Sequence, residues 1–344
     1  MTYKWLGVLS FLPMLAACDS NIEVSSKVLS KEQIQTIVNN INSQYPDADH
    51  ELKQNIATVA VKSIENMVFV EGGTFIMGDF RMPCINTDLN RPVWIPEASC
   101  YSQISIVNRG ADIQHEVTLS SYSLSKYEAE LLDYDVYLQA FNRPFEQFDY
   151  EDKYLERGSS DYQIFLKSFI NKPAREVSWQ DAKNYCQWLG QLTALPVDLP
   201  TEAQWEYAAR SRGQKLYYAT NNGFKQYRGG GYYNPELGAY EEFTDKTANM
   251  TTGLNSVGSF APNPLGLYDM TGNAEEWVND WYAKDYYKVS PKLDPQGPKS
   301  GEYKVVRGGV GMVNVARAFD PIKSDNLSYA SGFRCTLQST EPAY

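Results

Sequence analysis

Apolar residues at helical spacing form two short stripes in the N-terminal part of the chain. In each stripe they recur every three or four positions, which is typical of an amphipathic helix with one buried face. The turn Tyr45-Pro46-Asp47 separates the two predicted helices. We expect each stripe to dock on the rest of the chain or on the other helix, with a partner protein as the alternative. The stripes consist of Ile34, Ile37, Val38 and Ile41, and of Leu52, Ile56, Val59 and Ile64.

The pattern changes to two-residue alternation at Met67. Residues 67–79 alternate on either side of Gly72-Gly73, which predicts two strands around a turn. Residues 115–128 show the same alternation and predict a second strand pair. Residues 79–112 between them are predicted to be a loop-like insertion.

Helical patterns return further along the chain. Residues 131–141 predict an amphipathic helix, and residues 178–190 predict another with Ser178 as its N-cap and Gly190 as its stop. A third helix begins after Thr201, with Gln204 at the capping-box position. Residues 214–243 are rich in Tyr and Gly and are predicted to be an irregular surface region.

The first residues predict export and a lipid anchor. Residues 1–17 combine Lys4 with an apolar run of about eleven residues, which is too short to span a bilayer but suits a signal peptide. The run ends in Leu-Ala-Ala followed by Cys18, which resembles a bacterial lipobox; an ordinary signal peptide is the alternative. The resemblance implies cleavage before Cys18 and acylation of its thiol. Asp19 resembles an inner-membrane retention signal, so we expect a periplasm-facing protein, with the inner membrane favoured.

Composition places the chain among globular proteins. It is 43% hydrophobic and 21% charged, with a formal net charge of −11. Nucleic acid is excluded as a partner because phosphate binding requires a basic surface. The acidic balance suits solubility or oxygen-ligated cations. We predict three parts: a signal peptide at 1–17, a tether with two short helices at 18–66, and a domain at 67–340.

Four cysteines remain once Cys18 is assigned to the lipid, and four cysteines allow three pairings. An even number in an oxidising compartment predicts two disulfides. Cys84 and Cys100 lie in one irregular segment, so their pairing is locally easy. Cys186 and Cys335 would then form the second bridge.

Ten short motifs together resemble the formylglycine-generating enzyme family, also called sulfatase-modifying factors. They follow one another in the order expected for that family, over about residues 67–337. The motifs are VEGGTF (70–75), MG (77–78), KYE (126–128), PA (173–174), VSW (177–179), LPTEAQWEYAAR (199–210), NPLGLYDMTGN (263–273), EW (276–277), VRGG (306–309) and GFRC (332–335).

The resemblance implies an irregular, loop-rich α+β fold, similar to an elaborated C-type lectin, with little regular secondary structure. It also implies a structural disulfide between Cys186 and Cys335. Most motif residues are expected to build the fold. Trp205, Glu206, Arg307 and Arg334 are predicted to be buried anchors, because buried charge is tolerated only when it is paired.

The chemistry of the family enzymes is not expected here. Those enzymes use two cysteines between the VRGG and GFR motifs to bind copper, and Cu(I) requires soft thiolates. Residues 310–331 contain no cysteine, and the thioether of Met312 cannot replace a thiolate. A non-haem iron branch of the fold would need two histidines, but His50 lies in the predicted tether and leaves His115 alone. We therefore expect neither copper nor iron.

With copper and iron not expected, calcium is the remaining cofactor that the resemblance implies. Asn273, Ala274 and Glu276 match one calcium site of the family, and Asn249 matches the start of a second, whose acidic loop is shortened here. Oxygen ligands suit this hard cation. The alternative is that Asn273 and Glu276 form hydrogen bonds within the protein.

The sequence therefore predicts a non-catalytic binding or assembly protein of the cell envelope, with an envelope protein or peptide as its partner. The expected groove is bordered by residues 214–243 and 310–331, and tyrosines there would offer a large contact area. The rival interpretation is an enzyme of the same fold with unrecognised oxidative or tailoring chemistry. The groove residues that we single out are Tyr232, Tyr233, Met312, Asn314 and Arg317.

Overall fold

A computed structural model describes most of the chain. The described residues are 22–78, 113–146, 154–216, 218–221, 223, 253–309 and 331–344, with the backbone of short strands at 82–83, 99–100, 231–234, 239–242 and 322–323. The α-helices among them are α1 (Lys31–Gln44), α2 (His50–Glu65), α3 (Leu131–Ala140), α4 (Ser160–Ser168), α5 (Trp179–Thr193) and α6 (Glu202–Ala209). No described helix is long and apolar enough to cross a membrane.

The strands are short and numerous. They are β1 (Met67–Val70), β2 (Gly73–Met77), β3 (Met82–Pro83), β4 (Ser99–Cys100), β5 (His115–Leu119), β6 (Tyr122–Ser125), β7 (Phe145–Glu146), β8 (Tyr154–Leu155), β9 (Val197–Asp198), β10 (Gly231–Asn234), β11 (Ala239–Glu242), β12 (Gly272–Trp281), β13 (Tyr303–Gly309), β14 (Ile322–Lys323), β15 (Ser331–Phe333) and β16 (Thr336–Leu337). This mixture of helices and short strands confirms the predicted α+β class.

The first two helices form where the apolar stripes predicted them. Ser30 and Gln33 make a capping box at the start of α1, and the Asp49 side chain caps α2. Such caps satisfy backbone N–H groups that the first turn leaves without partners. The stripes pack into the same core as α3 and α5. The segment that we predicted as a tether is therefore packed, not free, from Ile22 onward.

The helices α5 and α6 begin at the predicted capping residues. Ser178 caps α5, while Thr201 and Gln204 form the capping box of α6, as predicted. The predicted stop at Gly190 is wrong, because α5 continues to Thr193. Gly190 is required for packing instead, since a Cβ there would lie 2.8 Å from the Leu195 carbonyl oxygen.

The alternating segments form strands but not the expected hairpins. β1 pairs with β6 and β2 pairs with β5, so the two segments exchange strands with each other. Gly72 makes this exchange possible, because a Cβ at that position would overlap the Leu119 carbonyl oxygen. The close approach of two backbones therefore decides the pairing.

Two four-stranded sheets organise the fold. One has the order β1-β6-β16-β9, and the central one has the order β14-β13-β12-β15 with β12 and β15 parallel. The main core contains α1, α2, α3 and α5, and a second core lies between α6 and strands β2, β5 and β6. A third, small core that the sequence pattern did not indicate joins α3 and β7 to α4 through Leu131, Phe145, Tyr162 and Phe165.

A disulfide joins Cys186 in α5 to Cys335 between β15 and β16, with 5.5 Å between the two Cα atoms. This is the pair that the resemblance implied. It ties the main core to the end of the chain. The predicted Cys84–Cys100 bridge lies outside the residues whose side chains the structure describes.

Buried ion pairs fix α6 against the central sheet. Arg307 on β13 bonds Glu206 at 2.8 Å and Glu202 at 3.1 Å, and Glu206 also accepts from Arg210 at 2.7 Å. Arg307 and Glu206 are fully buried, as is Trp205, whose ring lies 5.2 Å from the Arg307 guanidinium. The sequence prediction that these motif residues are buried anchors is confirmed.

Removal of the disulfide should lower stability strongly. The bridge closes a loop with a sequence separation of 149 residues, for which chain entropy predicts a loss of about 5 kcal/mol. Guanidinium unfolding of a Cys186→Ala/Cys335→Ala variant should show this loss in the free energy of unfolding. A change below about 1 kcal/mol would contradict this role of the bridge.

Candidate functional site

The candidate site lies at one end of the central sheet. There Gly272 on β12 is opposite Gly309 on β13, and Glu275 is opposite both Gly308 and Ser331. The chain leaves this end after Gly309 and returns to it at Ser331. The described residues on either side of the segment 310–330, Gly309 and Ser331, therefore both lie beside the first residues of β12.

The predicted groove residues are only partly described. Tyr232 and Tyr233 lie on β10, opposite Glu241 and Tyr240 of β11. This pairing corrects the prediction that residues 214–243 are wholly irregular. The side chains of β10 and β11 are outside the described part of the structure, and so are Met312, Asn314, Arg317 and Asn249.

A buried glutamate holds the turn at the start of β12. Glu128 accepts hydrogen bonds from Asn273 Nδ2 at 2.6 Å and from Ala274 N at 2.9 Å. Asn273 has φ 54°, a left-handed conformation that asparagine tolerates well. Its Oδ1 accepts a hydrogen bond from Asn255 N at 2.8 Å. Three hydrogen bonds thus fix the turn: one joins two side chains, and two join a backbone N–H to a side chain.

The Glu276 carboxylate forms the second buried pair. Its Oε2 accepts from Arg334 Nε at 2.7 Å and from Trp205 Nε1 at 2.8 Å, and its Oε1 accepts from Arg334 Nη2 at 2.6 Å. Glu276 and Arg334 are both fully buried. This is the bidentate geometry that makes an arginine–carboxylate pair strong.

These contacts do not fit the calcium site that we predicted at Asn273, Ala274 and Glu276. Both Glu276 oxygens point at the Arg334 guanidinium, and a cation close to it would be repelled. The Asn273 oxygen is already bonded to a backbone N–H. Among the described residues, no group of three or more His, Cys, Asp or Glu is arranged to hold a metal ion. Asn273 and Glu276 instead form hydrogen bonds within the protein, which was the alternative to the calcium site.

Three carboxyl groups surround Arg334. Burial raises the pKa of Glu128 well above its usual range, and the Asp269 and Glu276 carboxylates raise it further, while Arg334 lowers it. Burial also raises the pKa of Asp269 to about 6, against the opposing effects of the Gly258 N–H and Arg334. One guanidinium cannot neutralise three carboxylates, so this cluster retains a proton at weakly acidic pH.

The two histidines lie on different elements. His50 begins α2 and is exposed, so it belongs to the packed part of the chain and not to a free tether. His115 lies on β5, where its ring contacts Tyr287 at a centroid distance of 4.7 Å. Burial lowers the pKa of His115, which keeps it neutral.

Sequence patterns did not indicate a buried lysine near β12. Lys304 Nζ lies 3.4 Å from the Trp179 ring centre and 3.8 Å from that of Trp281, and it donates to the Asn279 carbonyl at 2.9 Å. Burial lowers the pKa of Lys304 to about 7 and raises the pKa of neighbouring Asp280 to about 8. Trp179 belongs to the VSW motif, whereas Trp281 lies four residues after the EW motif, so no motif indicated this cation–π site.

A polar cleft of about 620 Å³ opens between the start of α2 and the turn after α3. Two arginines in its wall form ion pairs with aspartates: Arg143 bonds Asp181 at 2.6 Å, and Arg157 bonds Asp135 at 2.5 Å. These ion pairs hold both guanidinium groups in the cleft wall. The cleft is lined by Asp49, Glu51, Leu52, Asn55, Gln139, Asn142, Arg143, Pro144 and Arg157.

Comparison with known proteins gives a consistent result. A family model described as the sulfatase-modifying factor enzyme 1-like domain matches residues 52–339. The chain is 32% identical over 203 residues to a serine/threonine-protein kinase pkn1 of Chlamydia pneumoniae, covering 57% of this chain and 29% of that protein. It is 37% identical over 142 residues to the formylglycine-generating enzyme of Streptomyces coelicolor, covering 40% of this chain and 42% of the enzyme.

Each of these two relatives is therefore matched over less than half of its own length. Among solved structures, PvdO from Pseudomonas aeruginosa has a TM-score of 0.51 and 21% identity, over 79% of this chain and 93% of that one. That likeness shows a shared fold.

Asp269→Asn should change how stability depends on pH. The raised pKa means that the folded state favours the protonated carboxyl group of Asp269. Protonated Asp269 therefore stabilises the wild-type protein fully below about pH 4, and this stabilisation is lost as the pH rises through about 6. Asparagine keeps an oxygen for the Gly258 N–H but cannot ionise. The free energy of unfolding of the variant, relative to wild type, should rise by up to about 3 kcal/mol between pH 4 and pH 7.

Asp285→Asn is the matched control for this measurement. Asp285 is exposed, and a hydrogen bond from Lys288 lowers its pKa, so this variant should show no such rise. Urea unfolding at a series of pH values tests both variants. Parallel pH profiles for wild type and Asp269→Asn would contradict the assignment of a proton to this cluster.

Proposed function

The chain belongs to the sulfatase-modifying factor enzyme 1-like domain family, and from that premise we propose that it is a non-catalytic, lipid-anchored binding or assembly protein of the bacterial cell envelope. One observation carries the proposal. No cysteine occurs between Gly309 and Ser331, the segment in which the family enzymes hold their two reactive cysteines. Cys186 and Cys335 are bonded to each other and supply no thiolate.

Loss of the thiolates removes the reaction, because binding a peptide does not by itself activate oxygen. A copper site of this type depends on soft sulfur ligands. Met312 is the only sulfur-containing residue in the segment, and a thioether cannot give the charged ligand. A pocket of the right shape would still bind a peptide, but only interactions made in the transition state raise the rate.

The described end of the central sheet supports a scaffolding role for the motif residues. Glu128, Asn273 and Glu276 all bond partners within the protein. Glu128 and Asn273 fix the turn at the start of β12, and Glu276 binds Arg334, which follows β15. We infer that the fold was kept because it presents loops, and that the presented loops recognise a partner.

We place the partner-binding surface on residues 214–243 and 310–331, with Tyr232, Tyr233, Met312, Asn314 and Arg317 as its candidate contacts. The partner would be an envelope protein or peptide. Tyrosine suits such a surface because it combines a large apolar ring with a polar tip. The net charge of −11 makes nucleic acid an unsuitable partner.

The lipid on Cys18 would hold this surface in the periplasm, with Asp19 favouring the inner membrane. One diacylated cysteine carries enough buried CH₂ groups to anchor a protein stably. The rival function is an enzyme of the same fold with other oxidative chemistry. Stoichiometric copper or iron in the purified protein would favour that rival.

The protein should not convert a cysteine-containing sulfatase peptide to formylglycine, even with copper and oxygen supplied. Mass spectrometry would follow loss of the thiol and gain of the aldehyde. An active formylglycine-generating enzyme and a heat-killed sample are the positive and negative controls. Turnover above the heat-killed sample would overturn the non-catalytic proposal.

Cys18→Ser should move the protein from the membrane to the soluble fraction, because serine cannot be thioether-linked to diacylglycerol. Asp19→Ser is the matched control and should stay with membranes, since it changes only the sorting signal. Fractionation and intact-mass analysis test both variants. Membrane retention of Cys18→Ser, or a wild type without acyl mass, would show that the anchor is not there.

A further inference from the structure

The first described residues are fixed along α2. Glu23 N donates to Gln54 Oε1 at 2.9 Å, and Gln54 Nε2 donates back to the Glu23 carbonyl at 2.8 Å. Ser26 Oγ then donates to Glu65 Oε1 at 2.5 Å. Ile22 and Val24 pack against the main core. The chain is therefore part of the folded domain from residue 22 onward.

The direction of this segment shows where the N-terminus emerges. Glu23 lies beside the second turn of α2 and Ser26 beside its last turn, so residues 23–26 run parallel to the helix. Ile22 consequently lies near the start of α2. This end of the domain also carries the turn between α1 and α2, because Lys53 Nζ donates to the Pro46 carbonyl at 3.0 Å.

Only residues 19–21 separate Ile22 from Cys18. Four residue steps span at most about 14 Å, whatever conformation they adopt. The polar headgroup region of one leaflet is itself about 5–8 Å thick. A lipid on Cys18 would therefore leave Ile22 no room to move away from the headgroups.

We propose that the end of the domain formed by Glu23, the α1–α2 turn and the first two turns of α2 lies directly on the lipid headgroups, in one fixed orientation. This inference rests on the proposed lipidation of Cys18. The partner of this end of the domain is the lipid surface of the membrane in which the anchor is inserted. The cleft bordered by Asp49 and Leu52 opens at the same end of α2, so it would lie next to the headgroups.

Charge indicates what kind of contact this is. Glu23, Asp47, Asp49 and Glu51 are exposed on this end. The cations near them are Lys53 and the two cleft arginines, Arg143 and Arg157, which are paired with Asp181 and Asp135. An acidic surface is not attracted to anionic lipids. The short covalent link imposes the contact, and the domain without its lipid should not bind vesicles.

The experiment uses the full-length lipoprotein in vesicles that contain a lipid with a photoreactive headgroup. Cross-linked peptides are mapped by mass spectrometry. Peptides from residues 22–26 and 45–54 should be labelled at least about fivefold more than those around Val289 and Leu293, which are exposed beside the second core. A variant with about 30 Gly/Ser residues inserted after Ser20, with a reach near 30 Å, should lose this preference while it stays in the membrane fraction.

The outcomes separate this inference from the anchor itself. If Cys18→Ser stays with membranes, the lipid anchor is wrong and this orientation falls with it. If Cys18→Ser is released but wild-type labelling is even over the surface, the anchor stands and the fixed orientation is overturned. Labelling that does not change on insertion also overturns it, because proximity would then not come from the short link. Vesicle binding by purified Cys18→Ser would overturn the claim that the link alone imposes the contact.

Discussion

The pairing of Arg334 with Glu276 is the interaction on which the rest of the structure depends. All five guanidinium N–H groups of Arg334 donate hydrogen bonds. Two go to the Glu276 carboxylate, and one each goes to the backbone carbonyls of Tyr268, Ser125 and Lys126. One buried side chain thus joins β15 to β12 and to the ends of two other segments. Removing one partner of such a pair leaves a buried charge, which typically costs about 3–5 kcal/mol.

The same pairing sets the character of the candidate site. Because Glu276 is committed to Arg334, it cannot also serve a cation, and the neighbouring carboxyls of Glu128 and Asp269 must share what positive charge remains. Their raised pKa values follow from burial in a place with more acids than bases. Perturbed pKa values often mark catalytic groups, but here the groups bond backbone and side chains of the scaffold. Glu128 holds the turn at the start of β12 through its bonds with Asn273 and Ala274.

This arrangement is compatible with the binding role that we propose. The scaffold depends on residues at the sheet end and on α6, while the resemblance places the enzyme chemistry of the family on cysteines between the VRGG and GFR motifs. The described ion pairs of Arg307 and Arg334 involve no residue of that segment. The N-terminal helices extend the main core, and their contacts with residues 22–26 bring the folded domain close to the residue proposed to carry the lipid.

Local signals in the sequence located several of the elements and the buried anchors. Apolar spacing located α1 and α2, capping residues located the starts of α5 and α6, and the motifs indicated that Arg307 and Arg334 are buried. Each signal is contained within a few consecutive residues. Tertiary structure alone decided which strands pair, why Gly190 lies inside a helix, and that Glu276 bonds Arg334 and not a cation. These outcomes depend on contacts between residues far apart in the chain, where close backbone approach and burial of charge select one partner among several that the sequence allows.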